Sequence, residues 1–278
     1  QSRSSAASDV YKRQAMEYAS MFHKIIIDHC EDDNLIEGGN MHEGVVSNEL
    51  GMKGRPAVAE DIAVARDIFL AEATGTPVHI AHISTKNAVD LVRQAKKRGV
   101  QVTAEVTPQH LIFTDEALRT FETRYKMNPP IRSDIHRDAC VEGLKDGTID
   151  AVVTDHAPHE WEEKDQEFNL APSGFVGLET SVGAMLTHLY HTGIIDLMSL
   201  VNVMSTAQAK ILNLDAGVIA PGKDADLTFL DLDKEWTVDS SKFYSKGKST
   251  PFDEMIFKGK AAATIVNGKF VMKNGEVL

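Results

Sequence analysis

The stretch DAVVTDHAPHE (150–160) decides the fold. Its apolar residues 151–153 are typical of a buried strand, and Asp155, His156 and His159 follow within a few positions. An acid and two imidazoles at the end of an apolar strand raise the question of whether other strands end in the same way. They do, and this repetition indicates where the chemistry of the molecule lies.

Apolar, β-branched runs alternate with helical patterns along the chain. The predicted strands are 24–32, 77–85, 100–110 and 149–154, and the predicted helices are 15–23, 55–75, 86–99 and 136–147. Strands of nearly continuous apolar residues in this alternation are typical of a parallel sheet with both faces covered. The carboxyl ends of parallel strands meet on one rim, so we expect His29, His82, His110 and Asp155 to converge there.

This set of residue types favours a metal site. A single histidine at a strand end is more often a hydrogen-bonded polar group than a ligand, but four successive strands with such ends weaken that interpretation. Neutral imidazole with carboxylate is a ligand set of Zn²⁺ and similar divalent ions. Because a bound ion lowers the pKa of water toward 7 and a nearby carboxylate can move its proton, the pattern predicts hydrolysis with Asp155 as the general acid/base.

Two other residues are candidates for holding a substrate. Asn128 precedes Pro129-Pro130, and this stiffened loop suits an amide held in fixed geometry, although Asn128 alone would be interpreted as a turn residue. His159 lies one short turn beyond Asp155, where an imidazole suits an anionic substrate.

Composition and charge exclude several classes of protein. The 278 residues are 42% hydrophobic and 25% charged, as in ordinary globular proteins, and the net charge of −12 argues against nucleic acid or an anionic membrane surface as a partner. Cys30 and Cys140 cannot form a disulfide framework, and the sequence has no apolar run of membrane-spanning length. A cytoplasmic location is the resulting expectation.

Six ordered motifs together resemble dihydroorotases of the long bacterial type, in the amidohydrolase superfamily. The motifs are DHCED (28–32), HIAHIST (79–85), AEVTPQHL (104–111), YKMNPPIR (125–132), GTIDAVVTDHAPH (147–159) and GLETSVG (177–183). The resemblance runs from about Ala15 to the carboxyl terminus, and the order of the motifs makes it specific.

The resemblance implies a role for seven residues. The implied metal ligands are His29, His82 and Asp155, and the implied substrate contacts are Asn128, His159 and the backbone of Ser173 and Gly174. Asp155 is also the implied general acid/base, and two Zn²⁺ ions per subunit are expected. His79 and His110 are expected to support the site without binding the metal. The family commonly has Phe-Gly where this chain has Ser173-Gly174, which leaves the backbone contact in place.

The implied activity is the reversible hydrolysis of dihydroorotate to N-carbamoyl-L-aspartate in pyrimidine biosynthesis. Two alternatives remain: another cyclic amidohydrolase, such as a dihydropyrimidinase or allantoinase, or a non-catalytic subunit that supports an aspartate transcarbamoylase. A homodimer and a transcarbamoylase partner are left open.

The expected fold is α/β, the carboxyl-terminal half of a (β/α)8 TIM-type barrel of a metal-dependent hydrolase, followed by a small β-rich unit. Residues 15–213 are predicted to supply barrel strands five to eight, and residues 214–278 a β-sandwich-like segment, with two Asn-Gly hairpin turns. Residues 1–14 resemble translated adapter sequence and are expected to be non-native. The family's HxH motif and bridging aspartate are missing, so this fragment alone is expected to be inactive.

Overall fold

The computed structural model describes residues 5–278, so the first four residues of the predicted tail 1–14 lie outside the described residues. The chain divides into two compact units. One joins the chain up to Glu116 with Pro129–Asp150, and the other joins Ala117–Asn128 with Ala151–Leu278. The predicted domain bounds at 15–213 and 214–278 stay predictions.

Eleven α-helices lie in the described part of the chain. They are α1 (Ser5–Ser20), α2 (Asp33–Ile36), α3 (Val45–Glu49), α4 (Val58–Thr74), α5 (Lys86–Lys97), α6 (Pro108–Ile112), α7 (Asp134–Lys145), α8 (Trp161–Lys164), α9 (Ser181–Met185), α10 (Leu197–Val201) and α11 (Ala207–Ile211). A π-helical turn at Leu186–Tyr190 continues α9, and another at Asn202–Thr206 joins α10 to α11. Short 3₁₀ turns occur at Asp115–Thr120, Thr123–Tyr125 and Ser240–Lys242.

Ten strands lie in the same part of the chain. They are β1 (Ile26–Asp28), β2 (Met41–His42), β3 (Gly54–Arg55), β4 (Val78–Ile80), β5 (Val102–Val106), β6 (Ala151–Val152), β7 (Leu227–Thr237), β8 (Ile256–Val266), β9 (Lys269–Lys273) and β10 (Glu276–Val277).

The first unit contains the predicted parallel sheet. Strand β4 lies between β1 and β5, with Val78 opposite both Ile26 and Val102. The long crossover helices α4 and α5 connect these strands, which is the connection that parallel neighbours require. The predicted α/β class is confirmed, and the carboxyl ends of β1, β4 and β5 share one edge of the sheet.

Local sequence fixes the ends of the crossover helices. Gly75 ends α4 in the left-handed conformation (φ +67°), and its N–H donates to the carbonyl of Ala71 at 2.9 Å. Thr85 caps α5 by accepting a hydrogen bond from the N–H of Ala88. Thr85 is the last residue of the HIAHIST segment, five residues after the end of β4, so this cap fixes where that segment passes into α5.

The second unit ends in an antiparallel sheet in the order β7-β8-β9-β10. Two Asn-Gly pairs turn the chain, and Asn267, Gly268, Asn274 and Gly275 all have φ between +49° and +86°. Both central residues of a type I′ hairpin turn need positive φ, which explains why Asn-Gly predicts these turns correctly.

Two expectations about local structure are wrong. Helix α1 begins at Ser5, ten residues before the predicted start at Ala15. The Ser, Lys and Gly content of 239–259 predicts a solvated surface loop, but this segment contains the fully buried Phe252 and Phe257, whose rings pack edge-to-face at 5.7 Å. In the part of the chain that the structure describes, no helix combines the length and apolar character needed to cross a membrane.

Candidate active site

Two of the predicted metal ligands meet in the first unit. His29 directly follows β1 and His82 follows β4 by two residues. His29 Nδ1 lies 2.9 Å from His82 Nε2, and the two rings meet edge-to-face with centroids 4.6 Å apart. The parallel pairing of β1 with β4 is what brings together two side chains that are 53 positions apart.

The donor chemistry of this pair fits a divalent cation. At this distance His29 Nδ1 and His82 Nε2 share one hydrogen, which lies between them. A metal ion bound to both nitrogens can take the place of that hydrogen. Two imidazole nitrogens bound to one tetrahedral Zn²⁺ lie about 3.3 Å apart, given bonds of about 2.05 Å. The observed separation of 2.9 Å differs from that value by a few tenths of an ångström. Glu31 Oε2 lies 3.5 Å from the other nitrogen of His29, where a carboxylate orients an imidazole ligand.

His79 and His110 are held by hydrogen bonds inside the first unit. His79, which is 3% exposed, lies 2.7 Å from Thr103 Oγ1 and 2.9 Å from Glu105 Oε2, both on the neighbouring strand β5. His110 Nε2 donates to the Pro129 carbonyl at 3.1 Å, and its Nδ1 lies 2.8 Å from Thr107 Oγ1. Burial, with the charge of His82 nearby, lowers the pKa of His110 to about 3, so this ring is neutral.

The third predicted ligand, Asp155, belongs to the second unit and follows β6 by three residues. Its φ is +47°, and that of His82 is +32°. A residue other than glycine in this region costs on the order of 1–3 kcal/mol and persists where the surroundings enforce it, which is common at functional sites. Two of the three predicted ligands therefore lie on strained backbone.

His156, next to Asp155, has a fixed tautomer. Its Nδ1 accepts hydrogen bonds from the N–H of Gly177 at 3.1 Å and of Leu178 at 3.4 Å. Since Nδ1 accepts, the hydrogen of the neutral ring is on Nε2. His156 thereby ties the residues after β6 to the start of the GLETSVG segment.

His159 and Ser173, both predicted to contact the substrate, are hydrogen-bonded in the second unit. His159 Nε2 donates to the Ser173 carbonyl at 2.9 Å, and its Nδ1 lies 3.2 Å from Glu163 Oε2. Both ring nitrogens face acceptors, and both bonds form together only when the ring is a cationic imidazolium. The two contacts fix the orientation of the His159 ring.

Gly174 passes close to the same residues. Its φ is +121°, and a Cβ there would lie 2.7 Å from the Ala157 Cβ and 3.1 Å from His159 Nε2. Only glycine fits this approach. The Gly174 N–H donates to the Lys126 carbonyl at 2.9 Å, which ties it to the chain two residues before Asn128. The four predicted substrate residues of the second unit are thus connected by short hydrogen-bonded links.

Sequence reasoning missed the buried lysines Lys126 and Lys164. They are 4% and 3% exposed, and each ammonium donates to two backbone carbonyls of the 168–174 segment. Lys126 lies in the motif YKMNPPIR, and this position is the one feature of the sequence that could have indicated a role for it. No pattern marks Lys164, which follows three exposed residues in the short helix α8.

A second group of metal-ligating side-chain types, Asp28, Cys30 and Asp67, lies in the first unit. The ammonium of Lys12 already lies among them, 2.7 Å from Asp28 Oδ2 and 2.8 Å from Asp67 Oδ1. Burial, with Asp28 nearby, raises the pKa of Asp67 to about 6 although Lys12 opposes this change. An internal ion pair is therefore the role that the geometry of this group supports.

Comparison with known proteins agrees with the motifs. The dihydroorotase of Pelotomaculum thermopropionicum is 52% identical over 262 residues, which are 94% of this chain and 61% of that protein. The dihydroorotase of Syntrophus aciditrophicus is 50% identical over 95% of this chain and 62% of that protein. The chain thus spans about three fifths of the length of these relatives.

A solved structure of L-hydantoinase (dihydropyrimidinase) from Arthrobacter aurescens matches with a TM-score of 0.89 and 30% identity, over 97% of this chain and 62% of that one. The sequence also matches the model of the amidohydrolase family over residues 6–271. That match covers the paired histidines of the first unit and the strained aspartate of the second. The chain belongs to the amidohydrolase family.

Proposed function

We propose that the protein is a dihydroorotase, which opens the ring of dihydroorotate to N-carbamoyl-L-aspartate and closes it in reverse. The observation that carries this proposal is the identity of about half of all aligned residues with proteins named dihydroorotase, over more than nine tenths of the chain. The contact between His29 and His82 supports it, since the reaction needs a place for a divalent ion.

In this proposal His29, His82 and Asp155 hold Zn²⁺, and two ions are expected per subunit. When bound, the metal supplies Lewis acidity, which polarises a carbonyl and lowers the pKa of water. The paired imidazoles and the carboxylate are donors of the type that Zn²⁺ prefers.

The side chains would divide the remaining work between proton transfer and substrate binding. Asp155 takes a proton from the attacking water as the new C–O bond forms at the ring carbonyl. It then gives the proton to the ring nitrogen as the C–N bond breaks, so that the carboxylate is restored. The side chain of His159, held between the Ser173 carbonyl and Glu163, would contact the carboxylate that dihydroorotate carries. Asn128 and the backbone at 173–174 orient the ring.

A hydantoinase or dihydropyrimidinase is the second candidate. The likeness to the L-hydantoinase structure favours it, because that enzyme shares the fold at 30% identity. Because the identity to that hydantoinase is 30% and the identity to the dihydroorotases is about 50%, this candidate ranks second.

The test is a comparison of substrates with the purified full-length enzyme. We expect kcat/KM for dihydroorotate to exceed that for dihydrouracil or hydantoin by at least about 100-fold, because only dihydroorotate carries a carboxylate for His159. Replacing that imidazole in the variant His159→Gln is expected to remove most of this preference. A preference for dihydrouracil or hydantoin would support the second candidate, and no turnover of any of the three would favour the non-catalytic subunit.

Metal binding is tested on the 278-residue chain. We expect weak zinc binding and negligible turnover, since the HxH motif and the bridging aspartate that the resemblance requires do not occur in this sequence. Calorimetric titration with Zn²⁺, with His82→Ala as the matched variant, measures the contribution of the histidine pair. Turnover by this chain at an ordinary enzymatic rate would contradict the expectation.

A further inference from the structure

The 168–174 segment of the second unit is held by two buried ammonium groups. Lys126 Nζ donates to the carbonyls of Phe168 at 2.6 Å and Asn169 at 3.1 Å. Lys164 Nζ donates to the carbonyls of Pro172 and Gly174, each at 2.9 Å. Charge-assisted hydrogen bonds of this kind are stronger than those between neutral groups.

Both lysines are connected to residues that the proposed function places at the substrate. Lys126 accepts the Gly174 N–H through its own carbonyl and precedes Asn128 by two residues. Lys164 directly follows Glu163, the acid that faces His159. With the bond from His159 to Ser173, five carbonyls of the segment accept hydrogen bonds from cationic or imidazole side chains.

We propose that Lys126 and Lys164 are positioning residues for the substrate: together they hold the 168–174 segment, so that the peptide groups of Ser173 and Gly174 keep the orientation that dihydroorotate contacts. The inference rests on the proposed function. Neither ammonium needs to touch the substrate, because each acts through the carbonyls that it holds.

The electrostatic environment of Lys164 agrees with a role beyond stability. Among the described residues, no carboxylate lies within ion-pair distance of its ammonium. Burial, together with the charge of Lys126, lowers the pKa of Lys164 to about 8. Burying an ammonium beside a second cation destabilises the folded state. Stability alone is therefore a poor explanation for two buried lysines that each bind two carbonyls of the same segment.

The first test measures the segment itself, in the 278-residue chain. In Lys164→Met we expect amide hydrogen exchange of peptides that cover 168–174 to accelerate at least about 10-fold, while exchange in β7–β9 stays unchanged. Lys269→Met, at an exposed position of β9, is the matched control. Lys164→Gln keeps a donor nitrogen without the positive charge, and it serves if the methionine variant does not fold. Unchanged exchange at 168–174 in both variants would overturn the proposal.

The second test measures substrate binding, in the full-length enzyme. We expect Lys164→Met to raise KM for dihydroorotate about 10-fold or more with a smaller change in kcat, and Lys164→Arg to recover part of the loss. A segment that loosens without any change in KM would overturn the positioning role. If the unsubstituted enzyme does not open dihydroorotate, the proposed function fails instead, and the exchange experiment still decides whether the lysines hold the segment.

Discussion

The two units differ in the partners that they give to a buried positive charge. In the first unit, the guanidinium of Arg132 lies 3.4 Å from Glu60 Oε2, and both side chains are only 4% exposed. In the second unit, Lys164 is equally buried but binds peptide carbonyls. A buried cation paired with a carboxylate has its charge balanced within a closed network, even where it also binds a carbonyl, whereas a cation bound only to carbonyls fixes the course of a backbone segment. The comparison separates residues that stabilise the fold from residues that shape a site.

The largest expected effect is the loss of Arg132. Besides Glu60, this side chain donates to Ser84 Oγ at 3.1 Å and to the Arg55 carbonyl at 3.1 Å. The variant Arg132→Met leaves the buried Glu60 without its cationic partner, which costs about 3–5 kcal/mol in the free energy of unfolding. Chemical denaturation measures this loss. The double variant Arg132→Met/Glu60→Gln should lose less, and a single-variant loss below about 1 kcal/mol would show that the network does not stabilise the unit.

The next effect is acid destabilisation through His42 and His136. Each accepts a hydrogen bond at Nδ1, from Arg132 Nη1 at 3.4 Å and from the Lys86 N–H at 3.0 Å respectively. Burial, with the charge of Arg132, lowers the pKa of His42 to about 3 and that of His136 to about 4, although Asp61 opposes the second change.

The sign follows from these lowered pKa values. Below the unfolded pKa of about 6.5 the unfolded chain binds protons that the folded chain does not, so stability is lost as pH falls. Between pH 6.5 and 5.5 the two histidines should together cost about 2 kcal/mol in the free energy of unfolding. Denaturation at both pH values measures this loss. His136→Asn should reduce the difference by about 1 kcal/mol, and because His110 and Asp67 titrate equally in both proteins, an unchanged difference would contradict the assignment.

A smaller effect is expected from Lys12→Met, because this side chain is 20% exposed. The buried Asp67 would lose its cation, at a cost of about 1.5 kcal/mol at pH 8. With its pKa raised to about 6, Asp67 is largely protonated at pH 5, so the loss should shrink there. Arg13→Met, in the exposed pair with Glu17 on the same helix, is the control and should change stability little. If Lys12→Met and Arg13→Met lowered the free energy of unfolding equally, the buried ion pair would contribute no more than the exposed one.

The smallest effect is expected from Lys164→Met. Removing an ammonium that burial disfavours should change the free energy of unfolding at pH 7 by no more than about 1 kcal/mol. In the parent, the folded pKa of about 8 lies below the unfolded value, so this group penalises the folded state fully below pH 8, and the penalty fades as pH rises toward 10.5. Denaturation at pH 7 and 9.5 checks both statements. A loss as large as that of Arg132→Met would place Lys164 among the stabilising residues.

The strand ends were predictable from sequence because their signal is local. Apolar β-branched runs that stop at His29 and His82 predict parallel strands with those side chains at one edge, and the structure brings the two rings together. The Asn-Gly turns were predictable for the same reason, since the backbone conformation that they need is nearly specific to those residues.

The buried lysines were not predictable, because their environment depends on distant chain segments. In sequence, Lys164 in the stretch WEEK resembles any solvated helix residue. Its burial depends on the return of the chain at 172–174, and that return depends on the tight approach of Gly174. Phe252 and Phe257 were misjudged similarly, because the Ser, Lys and Gly residues around them masked two aromatic core positions.

The two sheets also differ in the separation of their paired residues along the chain, and this has a consequence for folding rate. In the carboxyl-terminal sheet, Val266 pairs with Lys269 across a two-residue turn. In the parallel sheet, Ile26 pairs with Val78 and Val78 pairs with Val102, and a long helix lies between the partners of each pair along the chain. Closing short loops costs less entropy and is faster, so the β8–β9 hairpin should form early. The edge that carries His29 and His82 should then be among the last parts of the molecule to assemble.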